Sequence, residues 1–203
     1  VLAEVLNNMQ KKTAIIGTNG VIIDGIKYET GMTTPDPIEL HKTFFMLKQK
    51  GIKHVFMEVS AHALDLKKLD GIMFDSMIFT NLTEDHLDYF GDMENYFKAK
   101  KKAFLPNQTK LSILNIDDQY GKRLFEGIKT KVLSYSTTSE SDYFASEIEV
   151  KNFKQNFKVG GVEFSANLLG KFNVSNILAA VCYMKNLGYS LEKIAELVEL
   201  ISP

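Results

Sequence analysis

The sequence predicts an α/β fold, a mostly parallel sheet flanked by helices, with a small antiparallel β subdomain. Three observations point there. Up to about Ser136, short β-rich runs alternate with helical patterns, the order that βαβ units impose. From Tyr143 to Leu168 the pattern changes to alternation of apolar and polar residues with period two, which marks half-exposed antiparallel strands. Two helical patterns then close the chain.

The elements follow in order. VLAEVLNNMQKK at the start reads as the back half of an amphipathic helix. Thr13–Thr18 (TAIIGT) is a buried-strand run. Val21–Ile23 and Ile26–Glu29 flank Asp24-Gly25, a two-residue hairpin signal. Pro35, Asp36 and Pro37 open a helix that runs to about Lys50, with proline in its first turn. His54–Val59, Ser76–Thr80 and Leu111–Ile116 are strand-like; Met93–Phe104 and Gln119–Ile128 are helical. Tyr143–Lys151, Asn156–Val159 and Val162–Leu168 form the antiparallel meander, with Gly160-Gly161 between the last two. Helices over Asn173–Leu187 and Leu191–Leu200 break at Gly188, and Ser190 caps the second.

Composition excludes several classes. The 203 residues carry a formal net charge of −1, so no bulk field draws the chain to nucleic acid or an anionic membrane. Lys98, Lys101 and Lys102 read as a solvated helix face. No apolar run approaches a membrane span, and no signal peptide is visible. The single cysteine, Cys182, lies in the apolar run Ile177–Met184 and is expected in the core. A lone cysteine forms no internal disulfide, which fits a reducing compartment.

Chemistry concentrates at strand ends. Gly17–Gly20 (GTNG) invites comparison with a phosphate-binding loop. It lacks the lysine and the hydroxyl residue such a loop needs, and Val21-Ile22-Ile23 follows in place of a helix. It reads as a strand-end turn. Glu58 closes an otherwise apolar strand, where it is either a metal or phosphate-site residue or a carboxylate hydrogen-bonded at a sheet edge. The next strand leads into Asp85-His86-Leu87-Asp88, and a histidine there is either a divalent-metal ligand or structural. Lys100 cannot ligate Mg²⁺ while protonated. With CO₂ it forms a carbamate that presents two hard oxygens, provided its pKa is locally depressed; the spacing alone does not demand this. Asn173 suits an N-cap, and Asn176 offers an amide at the same helix end.

These pieces together resemble the central domain of the Mur ligases, closest to the tripeptide synthetase (MurE-type) branch. The resemblance covers essentially the whole chain. It is carried by TTPDPIEL (Thr33–Leu40), MEVSAHAL (Met57–Leu64), FTNLTEDHLDYFGDMENYFKAK (Phe79–Lys100), LNIDD (Leu114–Asp118) and GKFNVSNILAA (Gly170–Ala180). It implies a P-loop/Rossmann-like domain over residues 1–203 with an antiparallel insertion at 137–169. It implies ATP and Mg²⁺ as cofactors, a bacterial cytoplasmic setting, and formation of an acyl phosphate on UDP-MurNAc-L-Ala-D-Glu. The amine of L-lysine or meso-diaminopimelate then attacks. By the same resemblance Glu58, His86 and carbamylated Lys100 are catalytic residues that hold Mg²⁺. Thr33, Thr34, Ser60 and Lys68 meet the muramoyl-dipeptide; Asn176, supported by Asn173, meets adenine.

The sequence departs from the family pattern in places. Ser60-Ala61-His62 stands for S-S-H, Lys68 for a common arginine, and Met32 and Leu66 for polar neighbours. The family's GTNGKTT loop and N-terminal UDP-binding domain are expected before Val1, and its C-terminal domain after Pro203. Alternatives are a folylpolyglutamate or cyanophycin synthetase-like ligase of the same superfamily, or a degenerate, non-catalytic ligase domain. TTPD and MEVSxHAL argue against the first. The 203-residue chain by itself is expected to show no ATP-dependent amide formation, and measurable product from it would overturn that expectation.

Overall fold

The computed structural model describes residues 1–202. It divides into two units, one spanning Leu2–Ile72 and the other running from Met73 onward together with Val1. Pro203, after which a further domain is expected, lies outside the described residues.

In the first unit, helix α1 (Leu2–Asn7) buries Ala3, Val5 and Leu6. Strands β1 (Thr13–Gly17), β2 (Gly20–Ile23) and β3 (Ile26–Tyr28) follow, then α2 (Pro37–Gln49), β4 (His54–Met57) and α3 (Ala61–Asp65). The sheet has the order β3-β2-β1-β4. Only β1 and β4 run parallel in it; β1, β2 and β3 are antiparallel neighbours. The GTNG segment is the turn of the first hairpin, with Gly17 opposite Gly20. Gly20 has φ +88°, and a Cβ there would come within 2.3 Å of the Tyr28 carbonyl oxygen. Asp24 and Gly25 both take positive φ, 50° and 79°, as a type I′ turn requires. Pro37 opens α2, and its spacing buries Leu40, Thr43 and Leu47 on one stripe. Helix α3 was not legible in MEVSAHAL. Ser60 starts it by accepting a hydrogen bond from the Ala63 N–H at 3.2 Å.

The second unit contains β5 (Met77–Phe79), α4 (Leu87–Phe90), α5 (Met93–Lys101) and β6 (Leu111–Asn115). It continues through α6 (Gln119–Gly127), β7 (Lys131–Ser136), β8 (Tyr143–Lys151), β9 (Lys154–Val159), β10 (Val162–Ala166), α7 (Lys171–Asn186) and α8 (Leu191–Glu199). The sheet order is β10-β9-β8-β7-β6-β5. Strands β5, β6, β7 and the start of β8 are parallel; β8, β9 and β10 are antiparallel. The antiparallel strands therefore continue the parallel sheet through β8, which bulges between Ser146 and Glu149 with Glu147 at φ 52°. Strand β6 is buried from end to end, which a parallel strand with covered faces requires. Gly160-Gly161 turns β9 into β10 with both φ positive. The helix expected over Met93–Phe104 is α for its first part and closes in one 3₁₀ turn, Lys102–Phe104. Strand β7 and the short α4 were not anticipated. Ser134, Tyr135 and Ser136 break the apolar run of β7, yet all three side chains are buried.

Cys182 is buried in α7, and burial first, then the Asp142 carboxylate, pushes its thiol pKa well up, as befits a packing residue. Among the described residues no helix is long and apolar enough to cross a membrane.

Asp118 caps α6 by accepting from the N–H groups of Tyr120 at 2.8 Å and Gly121 at 3.1 Å. At Gly121 two effects oppose. Alanine is the better helix former by about 1 kcal/mol. A Cβ there would sit 1.8 Å from the Asn115 carbonyl oxygen, so helix and strand must separate. The overlap wins: Gly121→Ala should lower stability by about 2 kcal/mol, read as a lower urea midpoint at unchanged slope. A raised midpoint would show that the close approach is not a constraint.

Candidate functional site

In the first unit the polar groups gather at the end of β4. Glu58 is the next residue, and its backbone N–H extends the ladder to the Ile16 carbonyl at 2.8 Å. Its Oε2 accepts from both the N–H and the hydroxyl of Thr18, each at 2.8 Å. Gly17 leaves room for it: a Cβ there would stand 2.6 Å from the Glu58 Cδ and would displace the carboxylate. The Thr18 hydroxyl also lies 3.1 Å from that of Thr33. Thr34, 3% exposed, donates to the Glu58 carbonyl and accepts from the Ser60 N–H, both at 3.1 Å. Thr33, Thr34, Glu58 and Ser60, all expected from the sequence, thus form one hydrogen-bonded shelf. Thr18 was missed because its role needs the tight β1–β2 turn. Lys68 joins nearby: its ammonium is 2.6 Å from Asp36 and 3.5 Å from the Met32 sulfur. Asp36 stands at the N-cap position of α2 without capping it through its side chain, and its carboxylate serves Lys68 instead.

In the second unit the loop after β5 leads into α4 through His86. This residue adopts φ 54°, the left-handed region that costs a non-glycine residue on the order of 1 kcal/mol or more. Asp85 stabilises the turn. Its Oδ1 accepts from the His86 N–H at 2.8 Å, and its Oδ2 lies 3.4 Å from His86 Nε2. Asp92 then caps α5 through the Asn95 N–H at 2.7 Å. From that start, Tyr96 and Lys100 fall four residues apart on one helix face. The His86 ring meets the Tyr96 ring edge to face at 6.0 Å, and the Lys100 ammonium lies 5.5 Å from the Tyr96 centroid. Phe90 stacks on Tyr96 at 5.1 Å. His86 and Lys100 therefore share one aromatic wall, and Tyr96, unnoticed in the sequence, is what joins them. Helix α5 is braced by Arg123 of α6, which grips Glu94 with both guanidinium nitrogens at 2.9 and 3.0 Å.

Burial holds the Lys100 ammonium below the usual lysine range, with Asp85 pulling weakly the other way. That shift favours the free amine, the form carbamylation consumes. Among the described residues no group of three or more His, Cys, Asp or Glu side chains is arranged to hold a metal. The donor chemistry still suits Mg²⁺, which takes one or two carboxylate-type ligands and completes its shell with phosphate oxygens and water. A carbamate on Lys100 is a ligand of that kind.

The first turn of α7 departs from expectation. Asn173 is not its N-cap. Gly170 occupies that position at φ 106°, where a side chain is disfavoured, so the helix begins at Lys171. Asn173 sits inside the first turn and donates to the Leu169 carbonyl at 3.0 Å. The Asn176 amide, exposed, points back to Asn173 Oδ1 at 3.4 Å. The two asparagines expected to work together are in fact in contact.

Fold and site define an α/β domain that gathers its polar chemistry at the carboxyl ends of strands, where open sheets of this class bind ligands. The chain belongs to the Mur ligase family: the Mur ligase middle domain matches residues 1–184. It is 38% identical over 204 residues to the UDP-N-acetylmuramoyl-L-alanyl-D-glutamate–2,6-diaminopimelate ligase of Clostridium perfringens, an alignment that covers 97% of this chain and 42% of that protein. A solved structure of a ligase with the same name superposes with a TM-score of 0.86 at 28% identity, over all of this chain and 43% of that one. MurF from Acinetobacter baumannii shares the fold, with a TM-score of 0.71 at 21% identity over all of this chain and 42% of that one. The chain thus spans about two fifths of the length of the relatives it matches.

Lys100 makes a pH-dependent prediction. Its folded pKa lies below the ordinary lysine value of 10.5, so between the two the unfolded chain binds more protons and stability rises with pH. Below the folded pKa the penalty of burying the ammonium is fully present. Lys100→Met should therefore raise the urea midpoint at neutral pH in CO₂-free buffer, and the gain should fade as pH approaches 10.5. A gain independent of pH would mean that the ammonium is not the cause.

Proposed function

We propose that this chain is the central domain of an ATP-dependent ligase that adds a diamino acid to UDP-MurNAc-L-Ala-D-Glu. The names of the relatives favour 2,6-diaminopimelate as that diamino acid; L-lysine is the runner-up. One observation carries the reading: a half-buried lysine amine of lowered pKa and a strained histidine share the Tyr96 ring at a strand-end loop. Strain of this kind, kept at a ligand-facing edge, is a mark of function.

The D-Glu carboxylate takes the γ-phosphoryl group of ATP, releasing ADP and forming an acyl phosphate. The amine attacks the acyl carbon, phosphate leaves, and the nitrogen gives up a proton. Mg²⁺, when bound, neutralises phosphate charge during the first step. Each residue has a part. Glu58 is oriented by the two bonds from Thr18, so its carboxylate meets a cation without reorganising. In the second unit His86 offers an imidazole nitrogen and the carbamate of Lys100 would offer two hard oxygens. Thr33, Thr34 and Ser60 present hydroxyls to the muramoyl-dipeptide. Lys68, preset by Asp36, supplies positive charge to its anionic groups, though without the two-pronged fork of an arginine. Asn176 reads the adenine edge and Asn173 supports its amide.

The test is chemical rescue in the full-length protein that carries this chain. Lys100→Ala should lower kcat by at least about a hundredfold, the scale on which loss of one preorganised charged group is felt. Acetate or another short carboxylate should restore part of it by supplying the missing oxygens. Unchanged turnover in Lys100→Ala removes this residue from the site; lost turnover without rescue argues for a role other than as a carbamate.

A further inference from the structure

Asn115 is the last residue of β6 and is 8% exposed. It lies in LNIDD, a motif with no role in the reading above. A buried carboxamide must place two donors and an acceptor, and each one left unmet costs about 1–3 kcal/mol. Here all are used. Its Nδ2 donates to the Thr80 carbonyl at 2.7 Å and to the Ser175 hydroxyl at 3.4 Å. Its Oδ1 accepts from the Asp117 N–H at 3.0 Å.

The three partners lie on three different pieces of the second unit. Thr80 follows β5 and opens the loop that carries Asp85 and His86. Ser175 sits between Asn173 and Asn176 in the first turns of α7. Asp117 holds the loop after β7: its carboxylate accepts from the N–H and hydroxyl of Thr137, both at 2.7 Å, and from the Ser136 and Thr138 hydroxyls. Two neighbours stiffen the knot. Fully buried Tyr135 donates to the Phe79 carbonyl at 3.2 Å, and the Asn115 carbonyl abuts Gly121 so closely that no side chain fits there. A single amide thus ties the loop after β5 to the loop after β6 and locks the start of α7 to them, and the Asp117 carboxylate extends the knot to the loop after β7.

We infer that Asn115 is a positioning residue of the ligase reaction, whose carboxamide sets the loop bearing His86 relative to the helix turn bearing Asn176. This rests on the roles proposed above for those two residues. Asn115 itself touches no reacting atom. Its effect is geometric, since a metal-side loop and a base-side helix must hold one spacing for the nucleotide to bind and react together.

The test uses the full-length protein with two variants. Asn115→Asp keeps the shape but loses both donors and sets a carboxylate against the Thr80 carbonyl. Ser175→Ala severs only the arm to α7 and keeps the protein folded if the first variant does not. Asn115→Asp should speed amide hydrogen exchange about tenfold or more in both 80–90 and 171–177, with little change in β9 and β10. It should also raise the KM for ATP and lower kcat, each by about tenfold, the worth of one hydrogen bond or slightly more. The KM for the muramoyl-dipeptide should stay put. Ser175→Ala should loosen 171–177 alone and raise only the KM for ATP, by about threefold. Exchange that accelerates uniformly across the unit, or that moves in neither segment, overturns the inference, as does a folded Asn115→Asp protein with unaltered KM and kcat. The exchange measurement judges the Asn115 knot without reference to turnover, and wild-type turnover judges the reaction, so the two failures are told apart.

Discussion

The structure of the second unit depends on one constraint: the parallel pairing of β5, β6 and β7. Parallel strands that are covered on both faces bury their side chains along their length, and β6 is buried at every residue. Polar groups inside the sheet, such as Ser112 and Ser134, each need a partner, and most of the polar chemistry collects beyond the strand ends. Every connection from β5 to β8 begins at the same edge, so the loops after successive strands are neighbours in space although distant in sequence. Thr80, Asn115, Asp117 and Ser136 meet for that reason alone.

The polar edge is held by groups of different strength. Asp117 is the firmest. Burial pushes its carboxyl pKa up, but the bonds from Ser136, Thr138 and Thr137 together outweigh burial and hold it below the usual range. Its contribution is present at neutral pH and lost as pH falls through that depressed value, so the loop after β7 is weakest in acid. The Lys68–Asp36 contact is short, yet Asp36 is exposed, and such a pair contributes little to stability. Its value is orientation. The left-handed His86 is the opposite case, a local cost retained by a loop that Asp85 and α4 over-determine.

Electrostatics separate the roles of the lysines around α5. Of the three lysines expected on a solvated face, Lys98 is exposed, whereas Lys101 and Lys102 are only partly so. Lys100, one helical turn after Tyr96, is half-buried against that ring, and removal from water shifts its equilibrium towards the neutral amine. The same residue type in the same short run faces water at one position and an aromatic ring at another, set by the helix period and by the His86 loop packed against that face.

Much was legible in the sequence because the physics involved is local. Asp24-Gly25 dictates a type I′ turn through backbone sterics, Pro37 opens α2, and Ser190 caps α8 through the Lys193 N–H. The alternation in β8 to β10 and the apolar run of β6 report their own burial. The shelf of Thr33, Thr34, Glu58 and Ser60 was readable as a list of residues, but not as a connected network. What only tertiary structure decided is non-local. Gly170 rather than Asn173 opens α7, since the helix start follows the backbone angle that the chain takes on leaving β10. Tyr96 joins His86 to Lys100 because a strained loop folds back onto a helix. Asn115 bonds partners 35 and 60 residues away. Sequence periodicity fixes which face of an element is apolar; which polar groups then meet depends on how strands stack side by side, and no stretch of chain encodes that by itself.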